Sequence, residues 1–138
     1  MSAPSAVVVV DTNVASFLSA GLAEAAAYRD VCQGRIGTLS FQTVAELRFG
    51  ALHRRWGERR RAGLERFMAG HQIAYPIEAT VDAWARLKAL SSHAGSPIAA
   101  DDLWVAATAL AEGATLVSHD AAFRPLVTLV GLDLVCHA

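Results

Sequence analysis

Val7-Val8-Val9-Val10-Asp11 is a run of four β-branched residues followed by an acid. A strand with one wet face alternates apolar and polar residues, whereas an unbroken apolar run suits a strand covered on both faces in a parallel sheet. The spacing therefore predicts a strand over Val7–Val10 with a carboxylate at its carboxyl end. Three more acidic motifs fall at predicted strand ends or within or at the start of predicted helices: Glu46 in Val-Ala-Glu-Leu, Asp101-Asp102, and Asp120 in Ser-His-Asp.

Outward from that strand, alanine-rich sequence with apolar residues three and four apart predicts helices from Asn13 to Leu18 and from Leu22 to Cys32, broken near Gly21 and closed by Gly34. Ile36 to Leu39 is a second strand. Ser40 is an N-cap for a helix from Phe41 to His53, with Val44, Leu47 and Ala51 on one stripe and Glu46 inside it. A helix from Glu58 to Met68 ends at Gly70, and Ile73 to Tyr75 is a third strand. Ile77 to His93 has Val81, Trp84, Leu87 and Leu90 at helical spacing, and Gly95-Ser96-Pro97 breaks it. A helix from Ala99 to Glu112 stops at Gly113, and strands follow at Ala114 to Val117 and Leu132 to Val135. Strands alternating with helices give an α/β fold with helices on both faces of a mostly parallel, about five-stranded sheet. Such sheets bind ligands beyond the carboxyl ends of their strands.

At 138 residues and 54% hydrophobic content, the chain is expected to form a single domain, 1–138, with Met1 to Ser5 disordered. A formal net charge of −1 argues against a generally basic nucleic-acid binder. The charge is uneven, however: Arg48, Arg54, Arg55, Arg59, Arg60, Arg61 and Arg66 crowd one segment. That segment is either a patch for RNA phosphates or an acidic partner, or a solvated helix face balanced in part by Glu58 and Glu65. Cys32 and Cys136 form neither a disulfide framework nor a zinc motif, and the expectation is reduced thiols in a cytoplasmic protein. Ala6 to Val10 is far shorter than the ~20 residues that span a bilayer, so no membrane association is expected.

Several α/β functions begin with an acid after the first strand, and each demands something missing here. A haloacid-dehalogenase-type phosphatase needs a second Asp where this chain has Asn13. A receiver domain needs a Lys after a late strand, yet the one Lys, Lys88, falls inside a predicted helix. Neither the dinucleotide nor the P-loop glycine motif occurs. Taken singly, each acid has a plainer role: turn or N-cap for Asp11 and Asp120, a solvent-facing helical position for Glu46, first-turn charges for Asp101 and Asp102. Taken together, carboxylates gathered at one sheet edge repel one another, which suggests a bound divalent cation and phosphodiester cleavage.

Asp11-Thr12-Asn13, Ser40 to Ala51 (SFQTVAELRFGA), Ile98 to Leu110 (IAADDLWVAATAL) and Leu116 to Phe123 (LVSHDAAF) resemble, in that order and spacing, the PIN-domain ribonucleases, and among them the VapC toxins of toxin-antitoxin pairs. The resemblance runs from Val8 to about Val135. It implies a three-layer α/β/α fold, dependence on Mg²⁺ or Mn²⁺, a homodimer, and a cognate VapB-like antitoxin. It places the family's acids on Asp11, Glu46, Asp102 and Asp120 as catalytic metal ligands, with Asn13 and Ser118 supporting them. Asp102 is favoured over Asp101 because Val105, Ala106 and Ala107 complete the motif behind it. The implied activity is an endoribonuclease whose metal-activated water attacks RNA, leaving 5′-phosphate and 3′-hydroxyl ends, with transfer RNA the family's common target. His119 is then a turn residue rather than a ligand. Trp56 and Trp104 are candidates to stack on bases, although Trp84 and Trp104 also suit a core or dimer interface. The alternatives are a PIN-fold protein that binds nucleic acid or a partner without cutting, and a nuclease acting on DNA.

Overall fold

The computed structural model describes residues 5–93, 95 and 98–138. The expected disorder of Met1 to Ser5 therefore lies, except for Ser5, outside the described residues, as do Ser96 and Pro97 of the expected break. Strands β1 (Val7–Val10), β2 (Ile36–Ser40), β3 (Gln72–Ala74), β4 (Thr115–Val117) and β5 (Leu134–Val135) form one sheet in the order β3-β2-β1-β4-β5. Every pairing is parallel, so the sheet is more uniform than the mostly parallel one expected. β1 lies at its centre, with Val9 opposite Thr38 on one side and Leu116 on the other.

The four valines explain why the sheet is sandwiched. Successive strand residues point to opposite faces. Val9, with Val7 beside it, packs with Leu103, Ala106 and Ala107 of α6 (Ala100–Glu112) and with Leu87 of α5 (Glu78–His93). Val8 and Val10 pack on the opposite face with Val14 of α1 (Thr12–Ala20), Tyr28 of α2 (Ala26–Cys32), Val44 and Leu47 of α3 (Phe41–His53), and Leu64 and Met68 of α4 (Glu58–Ala69). Both faces of β1 are thus dry, and an unbroken apolar run is what that environment requires.

Local chemistry accounts for the element ends. Ser40 caps α3 by accepting the Thr43 N–H at 3.1 Å, as read from sequence. Gly21 and Gly113 close α1 and α6 in the left-handed region, with φ of 64° and 60°, which favours glycine. Three sequence readings change. The helix expected over Leu22–Cys32 starts as a 3₁₀ turn, Ala23–Ala25, and becomes α-helical only at Ala26. Leu22 supplies no side-chain cap, so nothing nucleates the helix earlier. In α5 the apolar stripe is narrower than expected, since Val81 and Leu90 are exposed and Leu87 is buried. Finally, a 3₁₀ turn at Ala121–Phe123 and a six-residue helix α7 (Pro125–Val130) occupy a stretch with no predicted element; Pro125 starts α7, a position where its missing N–H costs nothing. Among the described residues no helix is long and apolar enough to cross a membrane.

Candidate acidic site

Asp11 leaves β1 still hydrogen-bonded to the sheet, its N–H donating to the Val117 carbonyl at 2.9 Å. Its extended backbone makes it the N-cap of α1, where Oδ1 accepts the Thr12 N–H at 2.8 Å. The residue is only 5% exposed. Its other oxygen, Oδ2, accepts the Ser118 hydroxyl at 2.8 Å, and Ser118 Oγ in turn accepts the Asp120 N–H at 3.0 Å. Asn13 Oδ1 accepts the His119 N–H at 3.1 Å. The turns after β1 and β4, neighbours because the strands pair, are thereby laced together by side chains.

Glu46 sits half-buried on the second turn of α3, and Gln42 Nε2 donates to its Oε1 at 3.1 Å from one turn earlier. α3 is tied to the Asp11 turn by a 3.1 Å hydrogen bond between the Thr12 and Thr43 hydroxyls. Asp101 and Asp102 occupy the first turn of α6. Asp101 is exposed and Asp102 half-buried, and Asp101 Oδ1 accepts the Asp102 N–H at 3.1 Å. Asp120 caps the following 3₁₀ turn through the Ala122 N–H at 2.9 Å.

The electrostatics join these acids. Burial raises the Asp11 carboxyl above its ordinary value; hydrogen bonds from Ser118 and Thr12 oppose the rise, and the charges of Glu46 and Asp120 add to it. Asp102 is pushed up to about 7, first by burial and then by the charges of Asp11, Asp101, Asp120 and Glu46. The acids from four separate segments thus lie within one another's field. Among the described residues, however, no three His, Cys, Asp or Glu side chains converge closely enough to hold an ion by themselves. The donor set still fits Mg²⁺ or Mn²⁺: it is all hard oxygen, it carries surplus negative charge, and Mg²⁺ keeps several waters through which nearby carboxylates act.

Tyr28 and His137 join this neighbourhood without any sequence signal, because the contacts cross about a hundred residues. The buried Tyr28 hydroxyl accepts the His137 N–H at 3.0 Å and hydrogen-bonds to His119 Nδ1. Gln42 did carry a signal, lying four residues before Glu46 on the same helix face. Trp104 stacks on Trp84 at 5.2 Å and meets Phe41 in a T-shaped contact, so it packs within the fold.

The PIN domain sequence profile matches residues 8–126. Among solved structures, the chain is similar to VapBC2 from Rickettsia felis bound to a DNA fragment from their promoter, with a TM-score of 0.81 and 20% identity over 94% of this chain and 98% of that one. It is similar to VapBC-1 from nontypeable Haemophilus influenzae, with a TM-score of 0.79 and 24% identity over 94% and 97% of the two chains. VapBC-5 from Mycobacterium tuberculosis, a member of the VapBC family of toxin-antitoxin systems, gives a TM-score of 0.69 and 25% identity over 96% and 98%. No curated protein matched the chain.

Proposed function

Because the chain belongs to the PIN-domain family, we propose that it is a metal-dependent endoribonuclease, the toxin of a VapBC-like toxin-antitoxin system. The observation that carries this reading is the gathering of Asp11, Glu46, Asp102 and Asp120 at the carboxyl end of a parallel sheet, where burial first, and then the charges of its neighbours, push Asp102 up to about 7. Asp11 and Asp102, whose ionisation burial disfavours, have a use when a cation neutralises them. These four residues would hold Mg²⁺ or Mn²⁺, which when bound lowers the pKa of water and offsets charge on the attacked phosphate. Ser118 orients Asp11, Gln42 orients Glu46, and Asn13 holds the turn that carries Asp120.

RNA is the proposed substrate, transfer RNA the first class to test. A VapB-like antitoxin is the proposed partner, consistent with the VapBC complexes to which the fold is similar. The exposed apolar side chains Leu52, Tyr75 and Ile77 leave surface for that partner or for a second copy of the chain in a homodimer. A single domain acting in the cytoplasm completes the proposal.

The test is cleavage of RNA by the purified protein with Mg²⁺, with Mn²⁺ and with chelator, against a DNA of the same sequence. Metal-dependent cleavage of RNA alone is expected. Cleavage of DNA alone would move the substrate, and binding without cleavage in either metal would make this a PIN-fold binding protein.

A further inference from the structure

Three other segments hold the turn that carries Asp120. On the β1 side, Ser118 donates to Asp11, and Asn13 Oδ1 accepts both the His119 N–H and, at 2.7 Å, the Val14 N–H. On the β5 side, the Ser118 N–H donates to the Val135 carbonyl at 3.1 Å. The third grip comes from α2. Its Tyr28 hydroxyl hydrogen-bonds to His119 Nδ1, and the His119 ring is set between Phe17 and Tyr28 in T-shaped contacts, with centroids 5.5 and 5.7 Å away.

Residues 136–138, which follow β5, close this arrangement. His137 donates its N–H to the Tyr28 hydroxyl at 3.0 Å, and its ring lies 5.0 Å from the Tyr28 ring. Arg124, just past the 3₁₀ turn, donates to the Cys136 carbonyl at 3.4 Å and to the Ala138 backbone oxygen at 2.7 Å. Ser118 and Arg124 flank Asp120, and both are therefore fastened to one strap, residues 135–138. Tyr28 is completely buried and ties that strap to the residue before Asp120. A phenylalanine would fill the same space, so the hydroxyl serves as a fixed polar anchor rather than as packing. The Asp120 carboxylate is held locally by the Ala122 N–H, and its place relative to Asp11 follows from where the backbone of its turn sits.

We propose that Tyr28 is a positioning residue of the acidic site: through His119, and with the strap that Arg124 fastens, it fixes the turn that presents Asp120 to a divalent cation. Ligands act on an ion when surrounding contacts hold them within ~0.5 Å of the productive geometry. The inference rests on the metal-dependent reading of the acids and adds that α2 and the strap after β5 belong to the site, although neither carries a ligand.

The test measures Mn²⁺ binding by water-proton relaxation, which reads weak as well as tight sites, and amide hydrogen exchange by NMR in chelator. Wild type is compared with Tyr28→Phe, which keeps the buried ring, and with Arg124→Gln, at an exposed residue. Each variant should bind Mn²⁺ about threefold or more weakly, less than the ~10- to 100-fold typical of a direct partner of a ligand, because the contact acts one residue removed. The Asp120 and Ala122 amides should exchange faster, while the Leu47 and Ala51 amides in α3 keep their native rates. In an Asp120→Asn background, Tyr28→Phe should cost no further affinity, since the carboxylate it places is gone.

Equal Mn²⁺ affinity in wild type and both variants, or the same loss with and without the Asp120 carboxylate, would overturn the positioning role. Faster exchange throughout the sheet would do so too, because Tyr28 would then serve stability alone. Failure of the nuclease reading looks different: wild type itself would bind no Mn²⁺ and cut no RNA, and Asp120 would have no ion to be placed for.

Discussion

Ser118 Oγ donates to Asp11 Oδ2 at 2.8 Å, joining the ends of β1 and β4 across 107 positions of sequence. Both residues are buried, and the same hydroxyl oxygen accepts the Asp120 N–H. Ser118→Ala would leave two polar groups without this partner and remove a bond that favours ionised Asp11. A stability loss of ~1 to 3 kcal/mol is expected from urea unfolding, since an unsatisfied buried group bears its desolvation cost. Weaker Mg²⁺ binding by calorimetry should accompany it; a stable variant with unchanged affinity would contradict the orienting role.

Metal-free stability should fall as pH rises. Asp102 titrates near 3.8 in its ordinary state and at about 7 in the fold, so folding favours its protonated form. The resulting stabilisation is complete below about pH 4 and is lost as pH rises towards 7. Asp11, also raised, acts in the same direction. Melting temperatures in chelator should therefore decline over that window, less steeply in Asp102→Asn. Saturating Mg²⁺ should flatten the decline between about pH 4 and 7 by binding the ionised form. Identical slopes for wild type and Asp102→Asn would show that Asp102 is not the group responsible.

Neutralising Asp11 separates catalysis from folding. Asp11→Asn should abolish metal-dependent RNA cleavage while circular dichroism stays native, because the side chain can still accept the Thr12 N–H and the repulsion with Glu46 and Asp120 disappears. Cleavage retained by a well-purified variant would remove Asp11 from the chemistry.

Asp101 and Asp102 should differ. Successive helical residues point ~100° apart, and the half-buried Asp102 feels the charge of Asp11, Glu46 and Asp120 while Asp101 is exposed. Asp102→Asn should abolish cleavage, and Asp101→Asn should reduce it only modestly. The reverse ranking in a cleavage assay would shift the motif by one residue.

Gly50→Ala tests α3 from another direction. Alanine improves helix propensity by up to ~1 kcal/mol, but its Cβ would lie 2.8 Å from Arg54 Nη1 and displace that flexible guanidinium. Thermal melting should show equal or higher stability. A lower melting temperature would mean that Arg54 is held over Gly50 by contacts worth more than the gain in helix propensity.

Much of the fold was legible locally. Four β-branched residues at Val7–Val10 suit a strand dry on both faces, Ser40 marks the start of α3, and Gly113 marks the end of α6, because strand burial, capping and left-handed φ depend on near neighbours. α7 was not legible: six residues carry too little periodicity, and its stability comes from burying Leu126 against distant parts of the chain. The acids of the candidate site were visible as motifs at element ends. Their coupling was not, since it depends on the order β3-β2-β1-β4-β5, which brings β4 beside β1. The Tyr28–His119–His137 contacts and the division of the arginines between Glu65, Trp56 and Gly50 depend likewise on which surfaces meet. Sequence by itself determined where the chain turns and which residues are charged or apolar, through interactions a few residues long. Only tertiary structure decided which carboxylates share a field and what each arginine lies against, because electrostatics and packing act through space between segments far apart in the chain.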